Sequence, residues 1–207
     1  MLKLKKVAVT GGISSGKSLA CNCFAGLGAY VVKADEIVHN LLIPDTKLGK
    51  KVIELLGSEI VVDNKIDRNR IAKKVFLNPK LLRLLEELLH PAVYEEIEKE
   101  YQKVTKTKNT YTLFVAEVPL LFESKGERYF DYTVAAIADR EICWERYRKT
   151  TGYEREDFNR RSARQLRQSE KAERSDFVIK NNGSADELQK EVKKIADAIH
   201  QSGNIQE

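Results

Sequence analysis

The stretch that decides the fold is residues 7 to 20, "VAVTGGISSGKSLA". Inside it, Gly11 to Ser18 fits G-x-x-x-x-G-K-[ST], a loop whose backbone N–H groups surround a phosphate chain while the lysine reaches the terminal phosphates. The motif carries that mechanism only between a strand and a helix. "KVAVT" (6 to 10) reads as a short buried strand, and "GKSLACNCFAGLG" continues as a helix that can close on Gly26 or Gly28. The flanks therefore favour the phosphate loop over a glycine-rich turn that matches by chance. The amides of Gly11, Gly12, Ile13, Ser14, Ser15 and Gly16, with the helix start at Lys17, Ser18 and Leu19, are expected to hold the β- and γ-phosphates of a nucleotide. Lys17 acts as a point charge, and the Ser18 hydroxyl is placed on Mg²⁺.

Working outward, strand candidates recur at "KVAVT", "AYVVK" (29 to 33), "YTLFVAEV" (111 to 118), "DYTVAAI" (131 to 137) and "DFVIK" (176 to 180). Most are nearly continuous apolar runs, as expected of strands covered on both faces by helices. Helical patterns fill the gaps, at 17 to 26, 35 to 42, 46 to 56, 67 to 76, 79 to 106, 139 to 149, 154 to 171 and 185 to 201. This alternation predicts an α/β fold with a five-stranded parallel sheet. Two gaps exceed a simple crossover. A mostly helical insertion at 44 to 110 is expected to hold a substrate, and an arginine-rich helical pair at 139 to 171 to form a lid. Residues 1 to 43, 111 to 138 and 172 to 207 are left as the nucleotide-binding core. The closing "QSGNIQE" reads as a frayed tail.

Composition narrows the class. At 207 residues the chain can bury a core without covalent staples, and three cysteines give neither an even disulfide set nor a metal spacing. No apolar run approaches the roughly 18 residues of a membrane span, so a cytoplasmic protein without a membrane partner is expected. The net charge of +5 permits nucleic-acid binding, but equally suits polyphosphate ligands. Because acidic residues are interleaved with the arginines and no aromatic-lined basic groove is visible, a nucleic-acid partner is not expected.

Phosphoryl transfer needs in-line placement, positive charge on the transferring group, and often a carboxylate facing the acceptor hydroxyl. Asp35, just past "AYVVKA", can orient and deprotonate such a hydroxyl, or can simply cap the helix "EIVHNLL". Glu117 ends the run "LFVAE", a place for an acid near Mg²⁺ or its waters. Among Arg146, Arg148, Arg155, Arg161 and Arg164, some can enclose phosphates and most must pair with neighbouring acids on the surface. His90 precedes Pro91; a lone histidine on an apolar helix is more often a structural hydrogen-bonder than a catalyst. Two helical insertions able to enclose a second substrate and exclude water favour a kinase over a nucleotide-gated switch. A nucleoside or nucleoside monophosphate kinase shares the same architecture.

"TGGISSGKS", "KADEIVHNLL", "VDNKIDRNRIAKKVFLNP", "LLHPAV", "VPLLFE" and "SDFVIKNNG" stand in the order found in dephospho-coenzyme A kinases, and the chain resembles that family from residue 6 to about 200. The resemblance implies a P-loop kinase in which ATP phosphorylates the ribose 3′-hydroxyl of dephospho-coenzyme A, in a monomer able to function. It implies Asp35 as general base and places Arg68 and His90 in the helical coenzyme A domain. Pro119, Leu120 and Leu121 become a wall of the acceptor pocket, Arg146 and Arg155 lid residues, and Asn181 part of a loop near adenine. Three departures stand out. Lys33 replaces the first acid of the family's D-A-D, Thr150 or Thr151 stands where an Arg-Asp pair is frequent, and Ser14 replaces a glycine, tolerable if its φ is negative.

Overall fold

The computed structural model describes residues 4–76, 78–107 and 111–202. The chain divides into two compact units, residues 1–33 with 103–207, and residues 34–102.

The first unit is built on a parallel sheet of five strands: β1 (Lys6–Gly11), β2 (Tyr30–Lys33), β5 (Phe114–Glu117), β6 (Tyr132–Ile137) and β7 (Phe177–Lys180). Their order is β2-β5-β1-β6-β7, so the phosphate-loop strand is central. In register, Val9 lies opposite Glu117 on one side and Val134 on the other. Successive side chains alternate between faces. Val7, Val9, Val115 and Val134 enter a core with Phe24 of α1 (Lys17–Gly26) and with Leu188, Val192 and Ile199 of α9 (Ala185–Ser202). Small residues occupy the alternate positions, among them Ala8, Ala116 and Ala135, and α8 (Gln168–Arg174) packs against β1 and β6. Between β6 and α8 stand α6 (Arg140–Thr151) and α7 (Arg155–Ser162), whose Tyr147 and Phe158 form a small cluster with Cys143.

The second unit holds α2 (Ala34–Leu41), α3 (Lys47–Leu56), α4 (Arg68–Phe76) and most of α5 (Pro79–Lys106). Its helix starts follow capping chemistry. The Thr46 hydroxyl accepts from Gly49 N at 2.9 Å, Asp67 Oδ1 from Asn69 N at 2.8 Å, and Asn78 Oδ1 from Leu81 N at 3.0 Å ahead of Pro79. Leu48, Val52, Leu56, Ile60, Ile71 and Leu85 form this unit's own core.

The strands and most helices fall where the sequence places them, with three differences. The predicted helix 154–171 is two helices, because residues 163–167 leave the helical path before α8. A two-stranded hairpin, β3 (Val61–Val62) and β4 (Lys65–Ile66), turns through Asp63 and Asn64. Both turn residues have positive φ, 48° and 57°, as a type I′ turn requires. Of the expected frayed tail, Gln201 and Ser202 belong to α9, and residues 203–207 lie outside the described residues.

Phe24 has no exposed surface and joins α1 to the sheet and α9. Phe24→Ala is expected to cost about 3–5 kcal/mol in chemical denaturation, the range for deleting a buried aromatic ring.

Candidate active site

The phosphate loop joins β1 to α1 under tight steric control. Gly11 has φ 151°, and a side chain there would run into the Ala136 carbonyl on β6. Gly16 has φ 100°, and its missing side chain makes room for the amide of Asn181. That amide donates to the Ser15 carbonyl at 2.9 Å and is buried at 4% exposure. Asn181 therefore supports the loop from beneath. Ser14 takes φ 54°, so the condition of a negative φ is not met; the loop holds a serine in the left-handed region, where glycine is favoured.

The amino end of α1 has no side-chain cap and no acid in its first turn. Its unsatisfied amides, together with the helix dipole, form an anion-binding end. Lys17 Nζ donates to the Gly12 carbonyl at 2.7 Å, folding the ammonium back over the loop. Ser15 Oγ is buried without a hydrogen-bond partner inside the same curve.

Ser18 Oγ donates to Glu117 Oε1 at 2.7 Å, joining the helix start to the end of β5. Glu117 is only 7% exposed, and its Oε2 is buried without a partner. A buried carboxylate with one oxygen unsatisfied, beside a hydroxyl and below an anion-binding loop, is a donor set of hard oxygens that suits Mg²⁺. The same carboxylate acts on Cys21: burial first, and then Glu117, push the thiol pKa well above the ordinary range, so Cys21 stays protonated.

A cleft of about 430 Å³ opens beside Gly12 and Ile13, walled by Arg140, Phe158, Asn159 and Gln168. The Gln168 side chain closes it from below, accepting from Ala138 N at 3.0 Å and donating to Ala138 O at 2.9 Å while resting against Gly12. A larger hollow of about 780 Å³ lies between β7 and α9, lined by Val178 and charged residues; no loop residue borders it.

The arginines separate by partner. Arg155 grips Glu141 with both terminal nitrogens and lies over the Trp144 ring, while Arg160 and Arg161 share Asp157. These pairs tie α6 to α7 and brace α7 internally. Arg146 differs: its Nη1 is buried and has no acceptor. A guanidinium nitrogen held out of water without an acceptor is costly, and an anion's oxygen is one acceptor that would satisfy it.

Pro119 and Leu120 follow β5 half-buried, while Leu121 is fully buried. In the second unit, Asp35 is the second residue of α2 and is exposed, with no hydrogen bond or ion pair among the described residues. The capping alternative therefore has no bond behind it. Arg68 opens α4, also exposed and without such a partner, and His90 lies half-buried on α5. A groove of about 350 Å³ runs past Leu41, Leu48, Leu88 and Pro91, and Lys47 and Lys51 stand along it.

Sequence reading gave no hint of Gln168 or of Lys171, both inside the charged run "RQSEKAER" that looks like a solvated face. Only the fold turns Gln168 toward Gly12 and buries Lys171 completely.

An uncapped helix start on a central parallel strand, with an acid at the neighbouring strand's end bonded to the motif serine, defines a P-loop kinase. Comparison with known proteins narrows the class. The family model described as "Dephospho-CoA kinase" matches residues 5–187. A curated dephospho-CoA kinase from Protochlamydia amoebophila is 49% identical over 195 residues, 94% of this chain and 96% of that protein. A crystal structure of a Thermus thermophilus protein superposes with a TM-score of 0.81 at 28% identity, covering 95% of this chain and 97% of that one. The dephospho-CoA kinase from Campylobacter jejuni gives 0.69 at 26% identity, covering 95% and 98%. The chain belongs to the dephospho-CoA kinase family.

Gly16→Ala forces the loop against the Asn181 amide and strains a positive φ. ATP affinity measured by calorimetry is expected to fall at least about tenfold, since the amides lose their aim, while the circular dichroism of the protein is unchanged.

Proposed function

We propose that the protein transfers the γ-phosphate of ATP to the ribose 3′-hydroxyl of dephospho-coenzyme A, giving coenzyme A and ADP. The family match carries this reading, because it spans the phosphate loop, Glu117 and the whole of the second unit rather than the nucleotide site alone.

In this reading the amides of Gly11 to Leu19 hold the ATP phosphates, and Lys17 swings from the Gly12 carbonyl to the γ-phosphate. Ser18 and Glu117 hold Mg²⁺, which when bound neutralises charge between the β- and γ-phosphates. Arg146 stabilises charge on the transferring group, supported by its unpartnered buried nitrogen. Arg155 reaches ATP only by leaving Glu141, so its contact belongs to a rearranged lid made of α6 and α7. Asn181 contributes by holding the loop, and the chain just past it borders the adenine. Asp35 is the general base; the chain carries it two residues beyond Lys33, which pairs in register with Glu117. Pro119, Leu120, Leu121, Arg68 and His90 bind the acceptor.

In this reading a monomer is able to function. The cytoplasmic location of this reading is supported by three cysteines without a disulfide, and no helix among the described residues is long and apolar enough to cross a membrane.

The deciding experiment is ADP release from ATP and Mg²⁺ with dephospho-coenzyme A, AMP, CMP or adenosine, checking product mass. One added phosphate on dephospho-coenzyme A alone is the expected result; transfer to a small nucleotide instead would overturn it. Lys17→Ala is expected to lower kcat by roughly 10² or more, as loss of a preorganised charge does. Asp35→Asn is expected to abolish transfer while ATP affinity by calorimetry stays within about threefold, because the base acts on the acceptor and not on the nucleotide. Full activity of the asparagine variant would remove Asp35 from the mechanism.

A further inference from the structure

Lys171 has no exposed surface, yet it is not needed by any step above. Its ammonium donates to the Pro119 carbonyl at 2.6 Å and pairs with Glu123 Oε1 at 2.9 Å. The same Glu123 oxygen accepts the Leu166 amide at 2.8 Å, and Glu123 Oε2 is buried without a partner. The Pro119 carbonyl takes a second donor, Thr10 Oγ1, at 3.2 Å. Five segments thus meet at one buried point: the last residue before the phosphate loop, the turn two residues after Glu117, the stretch carrying Glu123, the end of the arginine-rich excursion at Leu166, and α8.

A buried ion pair is a poor way to gain stability. Desolvating both ions costs as much as their attraction returns, and well-packed apolar residues in the same place are often as stable or more so. Burial pushes the pKa of Lys171 down and the bonded Glu123 offsets only part of it, so these surroundings do not favour the charge for its own sake. What an apolar pair cannot do is fix a carbonyl and an amide in direction. Those two groups govern the site from either side. Pro119 follows the acid that bonds Ser18, and Leu166 leads into Gln168, which rests against Gly12.

We propose that Lys171 is a positioning residue, holding the Pro119 carbonyl and, through Glu123, the Leu166 amide, so that Glu117 and Gln168 keep their places around the phosphate loop. The inference rests on the phosphotransfer reading for its kinetic consequence, but not for its geometry.

Three variants test it: Lys171→Met, Glu123→Gln, which keeps an oxygen acceptor, and the apolar double variant Lys171→Met with Glu123→Leu. For each, kcat, KM for ATP, thermal midpoint and amide hydrogen exchange at Leu166 are measured against wild type. Lys171→Met and the double variant are expected to lose at least about tenfold in kcat, the scale of small misplacements around reacting atoms, with KM for ATP within about threefold. The double variant is expected to melt no lower than wild type. Glu123→Gln should keep kcat within about threefold, and Leu166 should exchange faster only in the variants lacking its acceptor or its lysine. An unchanged kcat in a folded Lys171→Met or double variant would overturn the proposal. So would failure of the double variant to fold, which would make the pair a stability element. A wild type that transfers nothing to dephospho-coenzyme A refutes the functional reading instead, and exchange at Leu166 still judges the brace.

Discussion

The amino end of α1 must stay open to an anion, and the first unit is arranged around that requirement. A helix start with no side-chain cap leaves several amides without partners. The loop before it can supply no bulk of its own, because Gly11 abuts β6 and Gly16 abuts Asn181. Stiffness therefore comes from outside the loop: from Asn181 beneath it, from Gln168 against Gly12, and from Glu117 on the Ser18 hydroxyl. Each of these three lies on a different part of the chain: Glu117 at the end of β5, Asn181 just past β7, and Gln168 at the start of α8. The central position of β1 is what lets supports arrive from both sides.

Polar burial in this protein is concentrated where it steers geometry. Thr10, Ser15, Glu117, Lys171 and Asn181 are all buried, and all lie in or against the loop and the turn after β5. The surface arginines, by contrast, are paired with acids across or along their helices, where exposed pairs contribute little to stability. Arg146 breaks that pattern, since it is half-buried with one terminal nitrogen, Nη1, buried and without an acceptor.

The α/β sheet was legible because its signals are local. Short apolar runs and a G-x-x-x-x-G-K-S loop need only neighbours in sequence to be recognised. The hairpin at Val61–Ile66 was passed over because two-residue strands leave no periodicity, although Asp63-Asn64 between apolar pairs is its turn signal. The break between α7 and α8 was hidden by a run of helix-tolerant polar residues with no glycine or proline. In the site, the loop and Glu117 could be read from strand ends. The bond between Ser18 and Glu117 spans 99 residues, and that from Asn181 to Ser15 spans 166; such pairings exist only once the sheet has set its register. Lys171 and Gln168 gave no signal at all, since burial of a lysine is decided by what packs over it.

The sheet order has a consequence for how the protein comes into being. β1 is made before both of its neighbours, β5 and β6, which lie beyond residue 113, so it waits unpaired while residues 12 to 113 are made. Residues 34–102 form a continuous segment with its own apolar core and can gather meanwhile without the sheet. Because Asn181 is the last support to emerge, the loop reaches its final shape only when β7 has docked. A nucleotide that recognises that shape stabilises the completed fold and none of its predecessors, acting by mass action as a late selector of correctly folded chains.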